Sequence, residues 1–193
     1  MKKRILLGVA IASLILFAGC IPFGLMLPPT FLPAGGFDIG IGAEMVIGEG
    51  FFPWVFEAQS RYAFTDSVEG SLRGAISPFV FEGVFPLYLE AGGRLKLTSS
   101  PVISLYGGGG FLAFLGGDVD NFFLPIFRVS PTIGIRLGGN TYAFLRGQAL
   151  YADDFLFVVG GGLSGKHWIL EGTVPFPYPT DSFGFFLTAG ARF

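Results

Sequence analysis

From Gly36 to Phe193 apolar residues alternate one by one with small or polar residues, and no stretch repeats at helical spacing. Period-two alternation puts successive side chains on opposite faces of a strand. The pattern predicts ten strands, at roughly 36–47, 52–64, 67–79, 84–98, 101–114, 123–138, 141–152, 154–164, 167–176 and 182–193. Tight turns fall at Thr65-Asp66-Ser67, Ser99-Ser100-Pro101, Gly138-Gly139-Asn140 and Gly165-Lys166-His167, whose residues tolerate turn geometry. The connections between these turns, such as Pro78 to Val84, Leu115 to Phe122 and Pro175 to Asp181, are mostly longer. Ala152 to Phe155 is so short a junction that a count of about eight strands is the alternative.

Charge divides the two faces. In every strand with more than one charge, all of them share a parity: Asp38 and Glu44; Glu57 and Arg61; Glu69 and Arg73; Glu90, Arg94 and Lys96; Arg128 and Arg136. Arg146, Glu171 and Arg192 stand alone in theirs. Neutral polar residues such as Gln59, Ser71, Thr132, Gln148 and Thr188 fall in with the charges, whereas Ile39, Phe56, Leu72, Leu89, Ile135, Leu145 and Val159 occupy the other parity. Charged residues make up 13% of the chain, about half the usual share, beside 31 Gly and 24 Phe. After the N-terminal segment no apolar run is long and clean enough for a membrane-spanning helix.

A barrel that crosses a membrane by its strands reconciles these features, because only every second residue faces lipid. An Arg or Lys toward lipid costs about 2–4 kcal/mol at mid-bilayer, against a folding stability of about 5–15 kcal/mol. The charged parity therefore belongs to the lumen. Aromatics gather near strand ends, with Trp54, Phe85, Phe127, Tyr151, Phe155 and Phe183 toward the loops and Tyr62, Trp168 and Phe193 toward the turns. The expected architecture is an all-β, antiparallel, up-and-down transmembrane β-barrel. A soluble, lipid-anchored barrel enclosing an apolar ligand would carry the same alternation inverted. Sparse charge and the bulk of the apolar set weigh against it.

Both ends of the chain carry export features. Lys2, Lys3 and Arg4 precede an apolar run from Ile5 to Phe17 and a small-residue stretch ending at Cys20, so residues 1–19 read as a signal peptide. The stretch Leu16 to Cys20 resembles a lipoprotein processing site, with Phe17 where Leu is usual, and this resemblance implies acylation of Cys20. Residues 20–35 read as a Pro-rich linker and 36–193 as the barrel domain. The closing strand, with Phe183, Phe185, Leu187 and a terminal Phe193 on one parity, resembles the assembly signal of bacterial outer-membrane β-barrels. That resemblance implies the outer membrane as location, and outer-membrane lipid and the barrel-assembly machinery as partners.

Chemistry is thinner. The expected lumen network comprises Asp38, Glu44, Glu57, Arg61, Glu69, Arg73, Glu90, Arg94, Lys96, Arg128, Arg136, Arg146, Glu171 and Arg192, which should pair across strands because an unpaired buried charge is unfavourable. Such a network either fills the lumen or leaves a narrow passive channel. Acidic residues mark the loop side: Glu49, Glu82, Asp118, Asp120, Asp153, Asp154 and Asp181. Gly160 to His167 comes close to a phosphate-binding loop, but His167 stands where Ser or Thr is needed and a strand pattern follows. His167 is the sole histidine and lies in a turn, without the supporting carboxylate that nucleophilic catalysis requires. One His and one Cys do not make a transition-metal shell, and the net charge of −2 argues against a nucleic-acid patch. The expectation is a non-enzymatic barrel without cofactor, in a structural or surface-interaction role. Oligomeric state is not encoded in these patterns.

Overall fold

A computed structural model of the protein describes residues 23–47, 54–78, 85–116, 122–152, 154–176 and 185–193. Its strands are β1 (Phe37–Ile47), β2 (Trp54–Thr65), β3 (Val68–Ile76), β4 (Phe85–Ser99), β5 (Val102–Leu115), β6 (Phe122–Gly138), β7 (Thr141–Ala152), β8 (Asp154–Ser164), β9 (Trp168–Phe176) and β10 (Phe185–Arg192). Each pairs antiparallel with its neighbour in sequence, and β1 also pairs with β10, closing a ten-stranded up-and-down barrel. The junction after Ala152 does reverse the chain, because Ala152 pairs with Asp154 and Tyr151 with Phe155.

Local chemistry explains the turns and one irregularity. Thr65 Oγ1 accepts from the amides of Ser67 at 3.2 Å and Val68 at 3.0 Å, which shapes the β2–β3 turn. Gly139, with φ of 53°, supplies the left-handed position of the β6–β7 turn. Pro131 has no amide hydrogen, and the β6–β7 ladder skips from Val129 to Thr132; the Gly147 carbonyl is taken instead by Ser130 Oγ at 2.9 Å.

Outside, the wall is apolar from end to end. Phe56, Leu72, Leu89, Leu105, Val129, Ile135, Leu145, Val159 and Leu170 are all exposed there. A continuous apolar belt of this extent far exceeds what a soluble monomer presents to water. Trp54, Phe127, Tyr151 and Phe155 crown it toward the loops, and Phe37, Tyr62, Phe64, Trp168 and Phe193 toward the turns. Buried Arg and Glu side chains lie inside. The described part of the closing strand keeps its expected parity, and Phe193 extends the seam: its amide donates to Ile39 O at 2.9 Å and its carbonyl accepts from Ile39 N at 3.3 Å. Phe183 lies outside the described residues, as do Cys20 and the side chains of all seven loop acids.

Candidate functional site in the lumen

Residues 23–32 of the segment read from sequence as a linker lie inside the barrel. Phe23, Leu25, Met26 and Leu27 are each at most 2% exposed. The chain enters from the turn end, where the amide of Gly35 donates to Ala63 O at 2.8 Å and that of Ala34 to Asp66 Oδ1 at 2.9 Å. Pro28, Pro29 and Pro33 explain why the described segment is neither helix nor strand: each lacks a backbone donor and fixes its own φ. An extended, proline-interrupted backbone carries unpaired amides and carbonyls into a buried space, and buried backbone groups must find partners. The charged lumen residues provide them.

Four stations do so. Nearest the turns, Arg61 pairs with Asp38 at 2.8 Å and Glu69 at 3.3 Å, and Arg94 pairs with Glu69 at 2.5 Å. Around them Thr30 O accepts from Arg61 at 3.1 Å and Arg94 at 2.8 Å, Pro28 O accepts from Arg94, and Leu32 N donates to Glu69 at 2.6 Å. Arg192 pairs with Asp38 at the same level. Next, Arg146 and Glu171 form an ion pair at 2.6 Å across β7 and β9. Both bond Leu25: its carbonyl accepts from Arg146 at 2.6 Å and its amide donates to Glu171 at 3.1 Å, while Leu27 O also accepts from Arg146.

The third station is a chain of pairs from Glu57 through Arg73 and Glu90 to Arg128, with Tyr106 donating to Glu90 at 2.6 Å. Gly24 O accepts from Arg73, and Phe23 O accepts from Arg128 at 3.3 Å and Gln148 at 2.6 Å. The fourth is Glu44. Among the described residues it forms no ion pair; it accepts from the amides of Phe23 at 2.9 Å and Gly24 at 2.5 Å and from Thr188 Oγ1 at 2.8 Å. A buried carboxylate held by two amides and a hydroxyl is stabilised by charge-assisted hydrogen bonds rather than by an ion pair.

The wall is also shaped to side chains of the segment. Gly42 on β1 and Gly190 on β10 are register partners, and a Cβ at either would overlap Met26 Sδ. Gly134 on β6 leaves the room filled by Pro29, and Gly24 itself lies so close to Thr188 that a Cβ would overlap its hydroxyl. Phe31 sits under Arg94, whose guanidinium carbon is 4.0 Å from the ring centre, with Lys96 Nζ at 5.3 Å.

Toward the loops the lumen changes character. Val55, Ala75, Leu112, Leu124, Ile126, Leu150, Val158 and Phe186 form a buried apolar cluster that Phe23 joins from below, its ring meeting Phe186 edge-on at 4.4 Å. The expected charge network is shared with the segment and meets this cluster at Tyr88, a cluster member that donates to Glu90 and accepts from Arg128 at 3.3 Å. Two of its expected members stand apart: Arg136 is exposed beyond the end of the wall and donates to Gly139 O at 2.8 Å, and Lys96 is half-exposed at the mouth. Both share the lumen parity, but their strands have run past the barrel rim, where parity no longer means burial.

Sequence reasoning missed the segment, the apolar loop-side cluster and the wall glycines. Apolar residues of lumen parity near strand starts, Leu124 and Ile126 above all, signal the cluster. The glycine notch is legible only once the register pairs Gly42 with Gly190.

His167 is exposed in the β8–β9 turn, where Nδ1 lies 3.2 Å from Arg192 O. The stretch from Gly160 to His167 is the end of β8 and that turn, with no helix after it.

No known protein family matches the chain, and no curated protein matches it in sequence. Among solved structures it is similar to Neisserial surface protein A, at 12% identity and a TM-score of 0.45, covering 83% of this chain and 98% of that one. It is also similar to the N-terminal β-barrel domain of Pseudomonas aeruginosa OprF, at 12% identity and a TM-score of 0.42, covering 84% and 100%. A third likeness is to Ail, the attachment invasion locus protein of Yersinia pestis, at 18% identity and a TM-score of 0.35, covering 83% and 99%. At these identities and TM-scores neither role nor ligand carries over to this chain.

Proposed function

We propose that the protein is a non-enzymatic barrel of the bacterial outer membrane whose lumen is closed by its own residues 23–34, with a structural or surface-interaction role. The occupied lumen carries this reading: residues 23–29 and the charged wall side chains around them are buried, and the side chains of Arg73 and Glu57 are wholly inaccessible. An open pore needs a continuous wet path, and the loop-side cluster adds an apolar barrier to ions. The apolar exterior supports the membrane, and export follows from the signal-like residues 1–19, with Cys20 as the acylation site. Outer-membrane lipid and the assembly machinery are the partners in this reading.

Single-channel recording of the intact protein in planar bilayers tests the closure. Little conductance is expected, and a large, stable conductance of porin size would replace the plugged barrel with the channel alternative. A cysteine at Leu89 should react with lipid-soluble but not water-soluble thiol reagents; the reverse would favour a soluble, inside-out barrel. Removing Phe193 takes away the terminal aromatic and two ladder bonds to Ile39, and should leave unfolded protein in the periplasm. Cys20→Ala should abolish fatty-acid labelling, and an unlabelled wild-type protein would remove the anchor.

A further inference from the structure

We infer that the turn-side lumen is a peptide-binding site, built for an extended segment with the pattern Phe-Gly-x-Met-x-x-Pro-x-Phe, and that residues 23–34 occupy it as an exchangeable plug. The inference rests on the closed-barrel reading and adds a ligand class to it.

Three observations carry it. First, the ten-stranded ladder closes without the segment, since β1 is paired on one side with β2 and on the other with β10. Backbone bonds between the entering chain and the wall join Gly35 and Gly36 to Ala63 at the mouth; deeper in, lumen side chains hold the backbone. Withdrawal therefore costs no strand pairing, and entering water can solvate the side chains left behind. Second, acceptors and donors are arranged for a peptide backbone: Glu171 and Arg146 take the amide and carbonyl of Leu25 together, while Glu44 satisfies two successive amides. Glu44 needs that ligand, because its other bond is a single hydroxyl. Third, the wall selects side chains as well as backbone, through the Gly42–Gly190 notch for Met26, the Gly134 notch for Pro29 and the lack of room for any Cβ at Gly24.

The connection to β1 lies at the exposed mouth, where Gly35 has φ of 76° and open space around it. A protease site placed across Ala34 to Gly36 would let the folded, full-length protein be cut there in detergent micelles. A fluorescent synthetic peptide of residues 21–34 should then displace the cut segment and bind saturably. A Gly24→Val peptide and a scrambled peptide should bind at least about tenfold more weakly. Glu44→Gln in the barrel should weaken the native peptide by about tenfold, through loss of charge-assisted bonds, while folded gel migration is kept.

A cut segment that stays bound until the barrel unfolds would overturn the exchange, and a scrambled peptide that binds as well as the native one would overturn the site. Large conductance from the uncut protein would instead overturn the closed-barrel reading while leaving the binding result standing.

Discussion

On the turn side, the lumen surrounds a polypeptide backbone with Arg61, Arg94, Arg146, Glu69, Glu171 and Glu44, whose directed polar bonds hold its amides and carbonyls, while Leu25 and Leu27 pack with Tyr106 and Met26 with Phe144 and Ile169. On the loop side, the same strands present Val55, Leu112, Leu124, Ile126, Leu150, Val158 and Phe186 to one another, and the contacts are undirected apolar packing. The outer face is apolar at both levels, so the difference arises entirely within. One half is specific but fragile, since each buried charge depends on a partner; the other is tolerant of detail and seals by volume. Phe23 belongs to both, with its main chain bonded to Glu44 and Arg128 and its ring packed on Phe186. The two halves together explain how a charged barrel interior can be filled by its own chain.

Mutations should separate the halves. The largest loss is expected for Glu171→Ala, which strands Arg146 and the Leu25 amide; breaking one side of a buried pair costs about 3–5 kcal/mol, read by urea unfolding in detergent or vesicles. Replacing Arg146 as well should recover part of this, whereas a double variant no better than the single would mean that the backbone contacts, not the pair, set the cost. In the apolar half, Leu112→Ala should cost about 2–5 kcal/mol through the cavity it leaves, with no effect on peptide exchange in the cut protein. Altered exchange there would show that the halves are coupled. Leu89→Arg on the outer wall should cost about 2–4 kcal/mol if the site is near the bilayer midplane, and should do so in lipid but not in chaotropic solution. At the rim, Arg136→Ala should change stability by no more than about 0.5 kcal/mol, as for other exposed positions. A larger loss would place Arg136 inside the network after all.

Much of this was legible in the chain. Alternation is local, so ten strands, their turns and the two faces follow from residue order, and the cost of charge in lipid decides which face is outer. Asp38, Glu57, Glu69, Glu90 and their Arg partners could be named as one network because parity and burial coincide along a strand inside the wall. Parity fails at the ends, where Arg136 and Lys96 lie past the rim, and it is silent about height, so the passage from Arg128 to Ile126 and Leu124 on β6 goes unread as a change of environment.

Residue order alone determined a closed, inward-charged barrel, because a period of two and the penalty for charge in lipid act residue by residue. Only the tertiary structure decided what fills it. Whether residues 23–32 hang outside as a linker or enter the lumen depends on register-paired glycines and on Arg, Glu and Gln side chains from different strands converging on one backbone. That convergence is a property of closure in three dimensions, and no local pattern records it.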